Sequence, residues 1–533
     1  LVTMDWFNDV WMKEVFANFM AAKIVNPSFP EINHDLRFYL THYESAYGID
    51  RTEGANPIRQ VLENQREAGS LYGAIIYQKA PIVMRHLERM IGEEPFRDGL
   101  REYLMTHQYG NATWPDLIAI LDARSERDLR TWSRVWVEAT GRPTIAAEPI
   151  ESEGRITGIS VTQSDPQGRG LLWNQETEIL VRTEGGTESL PVTIDADQQI
   201  ASLATPRTTF GFALPGVDGI SYAHFELDGT SRDALLNTFA TIDDPIHRAA
   251  AWSALSESML AGEVAVDSLL ALVIRTVSDE PNELVSARLL GSLSSMFWRY
   301  LEPERRAAVA SDLEATLWRG VEEADGMSRR ATFFNTYVSV AFTPEAIERL
   351  RQIWENETDL PGLPLSERNF TNIAQALAVR EVPGWHAVLE TQRDRIFDPD
   401  RRARFTFVMP ALSADSAVRD SVFDSFAQPD NRTHEPWVLE AMGFLNHPLR
   451  APSAEHYIYP GLELVEEIQI MGDIFFPLRW LNSLLGGHRS KAAAATVRRF
   501  LDERPRYPAR LRGKVLQASD GLFRVSGLAR LDG

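Results

Sequence analysis

The sequence predicts a mainly α-helical chain with one small β domain set into it. Apolar residues recur at helical spacing from residue 1 to about 140 and again from about 230 onward. Between Pro143 and Asp228 the pattern changes to the polar/apolar alternation of strands. At 533 residues the chain is too long for a single core. We therefore expect a helical region at 1–141, a β-sandwich at 142–229 and a helical, superhelical domain at 230–533.

Residues Leu1 to Ile24 are expected to form the first helix. Phe7, Val10, Trp11, Val15, Phe19 and Ala22 fall at the i, i+3, i+4 spacing that buries one helix face. Glu14 stands inside that stripe. A carboxylate in a dry site is costly to ionise, so it should be paired, protonated or bound to a metal. A salt-bridged core glutamate is the structural alternative. With Trp6, Phe7, Trp11, Phe16 and Phe19 the segment carries more apolar surface than one face can hide, so part of it should remain uncovered.

A Pro-rich break at Asn26 to Pro30 and a polar connection through Gly48 and Gly54 follow. The next long helix is expected from about Glu67 to Met90. Pro81 interrupts it, because the proline ring clashes with the carbonyl of Tyr77 four residues earlier; the helix should kink or begin afresh there. The helical neighbours of Tyr77 are Gly73, Ala74, Ala80 and Pro81, all small or lacking a donor, which leaves open space beside the phenol. A tyrosine on an amphipathic helix is most often a core residue with its hydroxyl at the edge, and that reading stands beside a functional one. Thr113 with Pro115 marks the start of a helix over Asp116 to Ala123, and Gly141-Arg142-Pro143 closes the region.

In the β region, Ile156 to Val161 and Glu178 to Arg182 alternate, with turn signals at Asp165-Pro166-Gln167-Gly168 and Gly185-Gly186. Several short strands at this spacing suggest a sandwich. His224 reads as a strand-face residue, since no second ligand lies near it in sequence. From Thr230 onward, prolines mark expected helix starts at Asp244-Pro245, Glu280-Pro281, Glu302-Pro303, Thr343-Pro344, Val382-Pro383 and Glu435-Pro436. About three hundred residues of paired helices without a strict repeat suggest an α-solenoid of the HEAT/armadillo kind.

There are no cysteines, which excludes disulfides, thiolate zinc sites and cysteine nucleophiles; any metal must use His, Asp or Glu. The formal charge of -21 argues against a broad nucleic-acid surface and favours cationic ligands, including peptides with a free α-ammonium group. The most apolar late stretch, Ile468 to Leu485, is interrupted by Asp473 and Arg479 and is too short and polar to span a bilayer. No Gly-x-Ser-x-Gly elbow and no phosphate-binding glycine loop occurs.

Two stretches carry a family resemblance. Leu1 to Phe19, reading LVTMDWFNDVWMKEVFANF, resembles the part of the M1 zinc aminopeptidases that follows their H-E-x-x-H helix, where a tryptophan-rich stretch leads into a glutamate followed by Phe-Ala. Tyr77-Gln78-Lys79-Ala80-Pro81 resembles the Tyr-x-Lys-Gly-Ala signature of the same family, and Tyr77 lies 63 residues after Glu14, close to the family interval. The chain departs from the family in having Lys13 and Val15 around Glu14, where Asn and Gly are usual, and Ala80-Pro81 in place of Gly-Ala.

The resemblance implies that Glu14 is the third ligand of a single zinc ion, after two histidines, and that Tyr77 donates its hydroxyl to the oxyanion as water attacks the scissile carbonyl. Counting back by the family spacing puts the second histidine a few residues before Leu1. The chain is therefore expected to be a fragment without the H-E-x-x-H segment, supplying neither histidine ligand nor the glutamate base, and inactive alone. None of its eleven histidines begins such a motif; His434-Glu435-Pro436-Trp437-Val438 has Val438 at the second histidine position and reads as a helix start. The family's Gly-x-Met-Glu-Asn segment is not found either.

For the fold, the resemblance implies that residues 1–141 are the helical half of a thermolysin-like catalytic domain, followed by the β-sandwich and the C-terminal helical domain. The function it implies is a zinc metallopeptidase that removes N-terminal residues from peptides with a free N-terminus. A non-catalytic peptide-binding or interaction scaffold with the same fold is the alternative.

Overall fold

The computed structural model describes residues 1–62, 72–356 and 360–527, and the chain forms two compact units divided between Ala265 and Val266. It is mainly helical with a small β region, as the sequence predicts.

The first unit opens with strand β1 (Thr3–Met4), paired in parallel with β2 (Asn111–Ala112). Helix α1 therefore starts at Val10 and runs to Val25, later than the expected start at Leu1. Residues before it are drawn away into the strand pair, where the Thr3 amide donates to Gly110 O. Val10, Trp11, Met12, Val15 and Phe19 are buried, which realises most of the predicted stripe. Trp6, Met20, Ile24 and Val25 remain exposed, the uncovered apolar surface that the sequence demanded.

Helix α2 (His34–Asp50) is capped by Asn33, whose side chain accepts from the Leu36 amide at 2.9 Å. The helix start expected at Glu67 lies outside the described residues. The described part is a π turn, Ile75–Lys79, running into α3 (Ala80–Ile91) with Pro81 in its first turn. The predicted break at proline is thus present. Helix α4 (Glu93–Thr106) follows. Then comes α5 (Trp114–Asp122), where Thr113 and Asp116 form a reciprocal capping box and Pro115 fills the first turn. Helix α6 (Leu129–Ser133) runs into a second π turn, Arg134–Glu138.

Strands β3 (Thr144–Ser152), β4 (Arg155–Ser164), β7 (Gln198–Arg207) and β9 (His224–Leu227) form a sheet in the order β7-β4-β3-β9, parallel only between β3 and β9. Strands β5 (Gln175–Thr183), β6 (Gly186–Ile194) and β8 (Phe210–Pro215) form an antiparallel sheet in the order β6-β5-β8. Alternate residues of both sheets, including Ile145, Ile159, Val161, Ile179, Val181 and Ala213, share one apolar cluster. At Gly158 the β4–β7 register shifts, and a Cβ there would lie 2.7 Å from Ala201 O, so only glycine lets the strands approach. Helices α7 (Gly229–Thr238) and α8 (Pro245–Leu260) complete the unit, with α8 packed on α2 and β9.

The second unit, among the described residues, is a succession of helices from Val266–Thr276 to Ala509–Val525, with a large apolar cluster reaching from Ala378 to Phe523. Of the prolines singled out in the sequence, Pro245, Pro303, Pro344 and Pro436 occupy first helical turns. Pro281 and Pro383 stand two residues ahead of Glu283–Ser295 and Trp385–Arg395.

A recurrent device closes the helix connections. Arg248, Arg306, Arg330, Arg402, Arg419 and Arg512 each stand four residues after the N-cap of their helix. Each guanidinium turns back to backbone carbonyls of the segment before its own helix, for example Arg306 to Phe297 O and Trp298 O, both at 2.9 Å. Carbonyls at the end of a helix have no intrahelical donor, and these arginines supply one.

Candidate functional site

Glu14 sits in the second turn of α1, and Tyr77 in the π turn that packs against it. The structure therefore brings together the two site residues singled out in the sequence. The expectation of a dry carboxylate is corrected. The Glu14 side chain is 27% exposed and its Oε1 lies 3.6 Å from Lys13 Nζ, so the group stands at the solvent-reached edge of the buried stripe. Helical spacing assigned it to the apolar face, but Trp11 and Val15 turn into the core on either side and leave it at the margin.

The π turn follows from local chemistry. The Tyr77 amide donates to Gly73 O, four residues back, whereas the Ala80 amide reaches five back to Ile75 O. Pro81 has no amide proton to return the chain to α-helical register at once, so the turn holds one extra residue. Tyr77 is half-buried and its ring lies 6.1 Å from that of Tyr72, nearly parallel at 21°. Burial first, then the charge of Glu14 and then Tyr72, push the Tyr77 phenol above its ordinary pKa. Among the described residues nothing lies within 4 Å of a Cβ placed on Gly73, so there is open space at Gly73, one of the small neighbours of Tyr77. Ala80 and Pro81 are buried and do not contribute to it.

Sequence reasoning missed the groups that hold this turn. Lys79 is fully buried; its Nζ lies 2.7 Å from Asp50 Oδ2, at the end of α2, and donates to Gly141 O at 2.6 Å. Tyr222, just before β9, donates its hydroxyl to the same Asp50 oxygen at 2.9 Å. The available signal was a lone lysine among Ile75, Ile76, Ala80, Ile82 and Val83, which requires an acidic partner. His42 of α2 also contacts the turn. Its pKa is lowered to about 4, chiefly by burial, with hydrogen bonding to Gln78 and to the Tyr77 backbone opposing and the Arg85 charge assisting. His42 is thus a neutral support at pH 7.

The remaining histidines named in the sequence have other work. His224 on β9 faces the Glu257 carboxylate, with Nδ1 at 3.9 Å from Oε2, and Glu257 also pairs with Arg51 at 2.7 Å and with Arg142. His434 stands at the N-cap of Glu435–Leu445 and stacks on Trp437 at 4.1 Å, the helix start expected there.

Among the described residues, no three His, Cys, Asp or Glu side chains are grouped so as to hold a metal ion. Glu14 is a single carboxylate donor, and the described residues do not by themselves fit a zinc centre. No helix among them is long and apolar enough to cross a membrane. The second unit contains a cleft of about 1020 Å³ whose lining, among the described residues, includes Trp298, Asn335, Arg368, Gln375, Arg380 and His447 and no carboxylate.

Comparison with known proteins adds independent information. The Peptidase family M1 domain matches residues 1–136, and the ERAP1-like C-terminal domain matches residues 212–522. Aminopeptidase N of Streptomyces lividans is 25% identical over 468 residues, covering 81% of this chain and 54% of the relative. Aminopeptidase N of Lactococcus lactis subsp. lactis is 24% identical over 398 residues, 70% of this chain and 45% of the relative. Tricorn protease-interacting factor F2 of Thermoplasma acidophilum is 23% identical over 297 residues, 56% and 36% respectively. The chain thus spans about half the length, or less, of these relatives.

Proposed function

The chain belongs to the M1 peptidase family, and from that membership we propose that it forms part of a zinc-dependent aminopeptidase acting on peptides with a free N-terminus. In this proposal Glu14 is one zinc ligand and Tyr77 is the hydroxyl donor to the tetrahedral oxyanion. The two histidine ligands and the general base are assigned to a preceding segment of the parent protein, so that the 533 residues alone are inactive. The fold assignment belongs to the same proposal: the helical half of a thermolysin-like domain at 1–141, a β-sandwich at 142–229 and an α-solenoid at 230–533.

The observation that carries it is the juxtaposition of Glu14 and Tyr77, two residues 63 apart in sequence whose packing elements meet, with the Glu14 charge raising the Tyr77 pKa. Zinc, when bound in such a site, polarises the carbonyl and activates water. The contribution of this chain is electrostatic. Burial and the neighbouring carboxylate disfavour the phenolate, so Tyr77 keeps its proton through neutral pH and is available as a donor where negative charge develops. The formal charge of -21 favours the approach of an α-ammonium group.

The coding sequence immediately upstream of Leu1 tests the proposal. An in-frame H-E-x-x-H at the family spacing supports it; unrelated sequence favours the second reading, a peptide-binding scaffold without chemistry. The cleft of the second unit, lined among the described residues by no carboxylate, supports that second reading. Stoichiometric peptide binding to the 533-residue chain in the absence of metal would favour it further.

A further inference from the structure

We propose that Lys79 is a positioning residue for Tyr77, acting through a buried clamp on Asp50 that holds the π turn in its wound-out register. This assignment rests on the proposed role of Tyr77. The turn is fixed at both ends. At its start, the Ile76 and Tyr77 amides both donate to Gly73 O. At its end, the Lys79 ammonium is fully buried and bound to Asp50 Oδ2 at 2.7 Å and to Gly141 O at 2.6 Å. It also lies 5.6 Å from the centre of the Tyr222 ring, and the Tyr222 hydroxyl binds the same Asp50 oxygen. Three segments distant in sequence thus converge on one ammonium: the end of α2, the loop before β3 and the residues before β9.

Tyr77 lies between these fixed points, two residues before Lys79. A π turn is an uncommon conformation that persists only where its surroundings hold it. Without the clamp the inserted residue can be absorbed into regular helix. Each residue of register in an α-helix rotates the side chains by about 100°. A shift of one residue would therefore carry the Tyr77 phenol off the side that faces Glu14, without altering either residue. Asp50 Oδ1 has no hydrogen-bond partner among the described residues, so the ion pair with Lys79 and the Tyr222 hydroxyl carry the whole carboxylate.

The test reads Tyr77 directly in the 533-residue chain labelled with tyrosine carrying carbon-13 at Cζ. The Tyr77 resonance is identified among the thirteen tyrosines by its loss in Tyr77→Phe. Lys79→Met should displace or split that resonance and leave Tyr103, on α4, in place. Tyr222→Phe removes one hydrogen bond from Asp50, leaves the ion pair intact, and should produce a smaller displacement; it decides the matter if Lys79→Met does not fold. A Tyr77 resonance unchanged in the folded Lys79→Met chain, or in Tyr222→Phe where Lys79→Met fails to fold, overturns the proposal. In the protein extended to carry an H-E-x-x-H segment, Lys79→Met should lower kcat toward the Tyr77→Phe value with KM little changed. Adding Lys79→Met to Tyr77→Phe should then cost nothing more. Multiplying losses in the double variant would overturn positioning, whereas full turnover in Tyr77→Phe would overturn the role of Tyr77 and leave the resonance result to stand alone.

Discussion

The Glu14 carboxylate and the Tyr77 phenol interact across the packing of α1 on the π turn: after burial, the Glu14 charge is the largest contribution raising the Tyr77 pKa. A metal on Glu14 would offset that charge and ease the phenol back toward its ordinary value, so the two residues are linked even without a direct bond between them. This linkage connects the first helix to the chemistry proposed for the turn.

The 533-residue chain should hold zinc weakly. One carboxylate does not replace the three protein ligands of a catalytic site, and no three His, Cys, Asp or Glu side chains are grouped to hold a metal among the described residues. Metal analysis after exhaustive dialysis should find far less than one zinc per chain; a tightly held stoichiometric ion would place the ligands elsewhere.

Glu257→Gln should destabilise the first unit by about 3–5 kcal/mol at neutral pH, the usual cost of stranding a buried ion-pair partner. Burial opposes the Glu257 charge, but Arg142, Arg51 and His224 outweigh it and hold the carboxyl well below the ordinary glutamate value. A depressed folded-state pKa stabilises the fold fully above the unfolded value and loses that contribution as pH falls toward the folded value. Urea unfolding of both proteins across pH should therefore show a constant gap at pH 6–7 that narrows below about 4.5. A gap that stays constant into that acid range would contradict the pairing.

Two glycines should respond oppositely to alanine. At Gly73 a Cβ meets nothing within 4 Å among the described residues, and Gly73→Ala should be neutral or stabilising by up to about 1 kcal/mol, since alanine has less chain entropy to lose on folding. At Gly320, in the helix Pro303–Glu323, a Cβ would stand 2.3 Å from the Phe333 ring, so Gly320→Ala should cost about 1–3 kcal/mol through overpacking. Thermal melts of the pair decide this, and equal effects would mean that the helix contact at Phe333 yields freely.

Adjacent arginines offer a sharper contrast. Arg305 makes an exposed pair with Asp267 at 2.7 Å, and Arg305→Met should cost less than about 1 kcal/mol. Arg306 donates to the carbonyls of Phe297 and Trp298 from a buried position, and Arg306→Met should cost at least about 1–3 kcal/mol by leaving them unsatisfied. Similar denaturation midpoints for the two variants would remove the arginine device from the forces holding the helices.

What could be read in the sequence was what is encoded locally. The Thr113-Pro115 helix start, the break at Pro81 and the alternation of β4 and β5 each follow from residues a few positions apart. The start of α1 was misplaced because Thr3 and Met4 pair with Asn111 and Ala112, a partner that local periodicity cannot reveal. Glu14 was placed inside the apolar face because helical spacing gives a direction and not a depth. The Lys79–Asp50–Tyr222 clamp stayed hidden for the same nonlocal reason, although a buried lysine announced that some partner had to exist. The arginine device lay in plain view as Asp244…Arg248, Glu302…Arg306 and Asp398…Arg402, but its meaning depends on carbonyls that only the fold brings near.

Zinc content and turnover of Tyr77→Phe, measured together in the protein extended to include an H-E-x-x-H segment, test the assignment of Tyr77 most directly. The substitution removes one hydroxyl and leaves Glu14 untouched. Zinc should stay stoichiometric while the chemical step slows by about 10²–10³-fold, the usual loss for one oxyanion donor. Loss of zinc, or turnover equal to that of the unsubstituted protein, would contradict it.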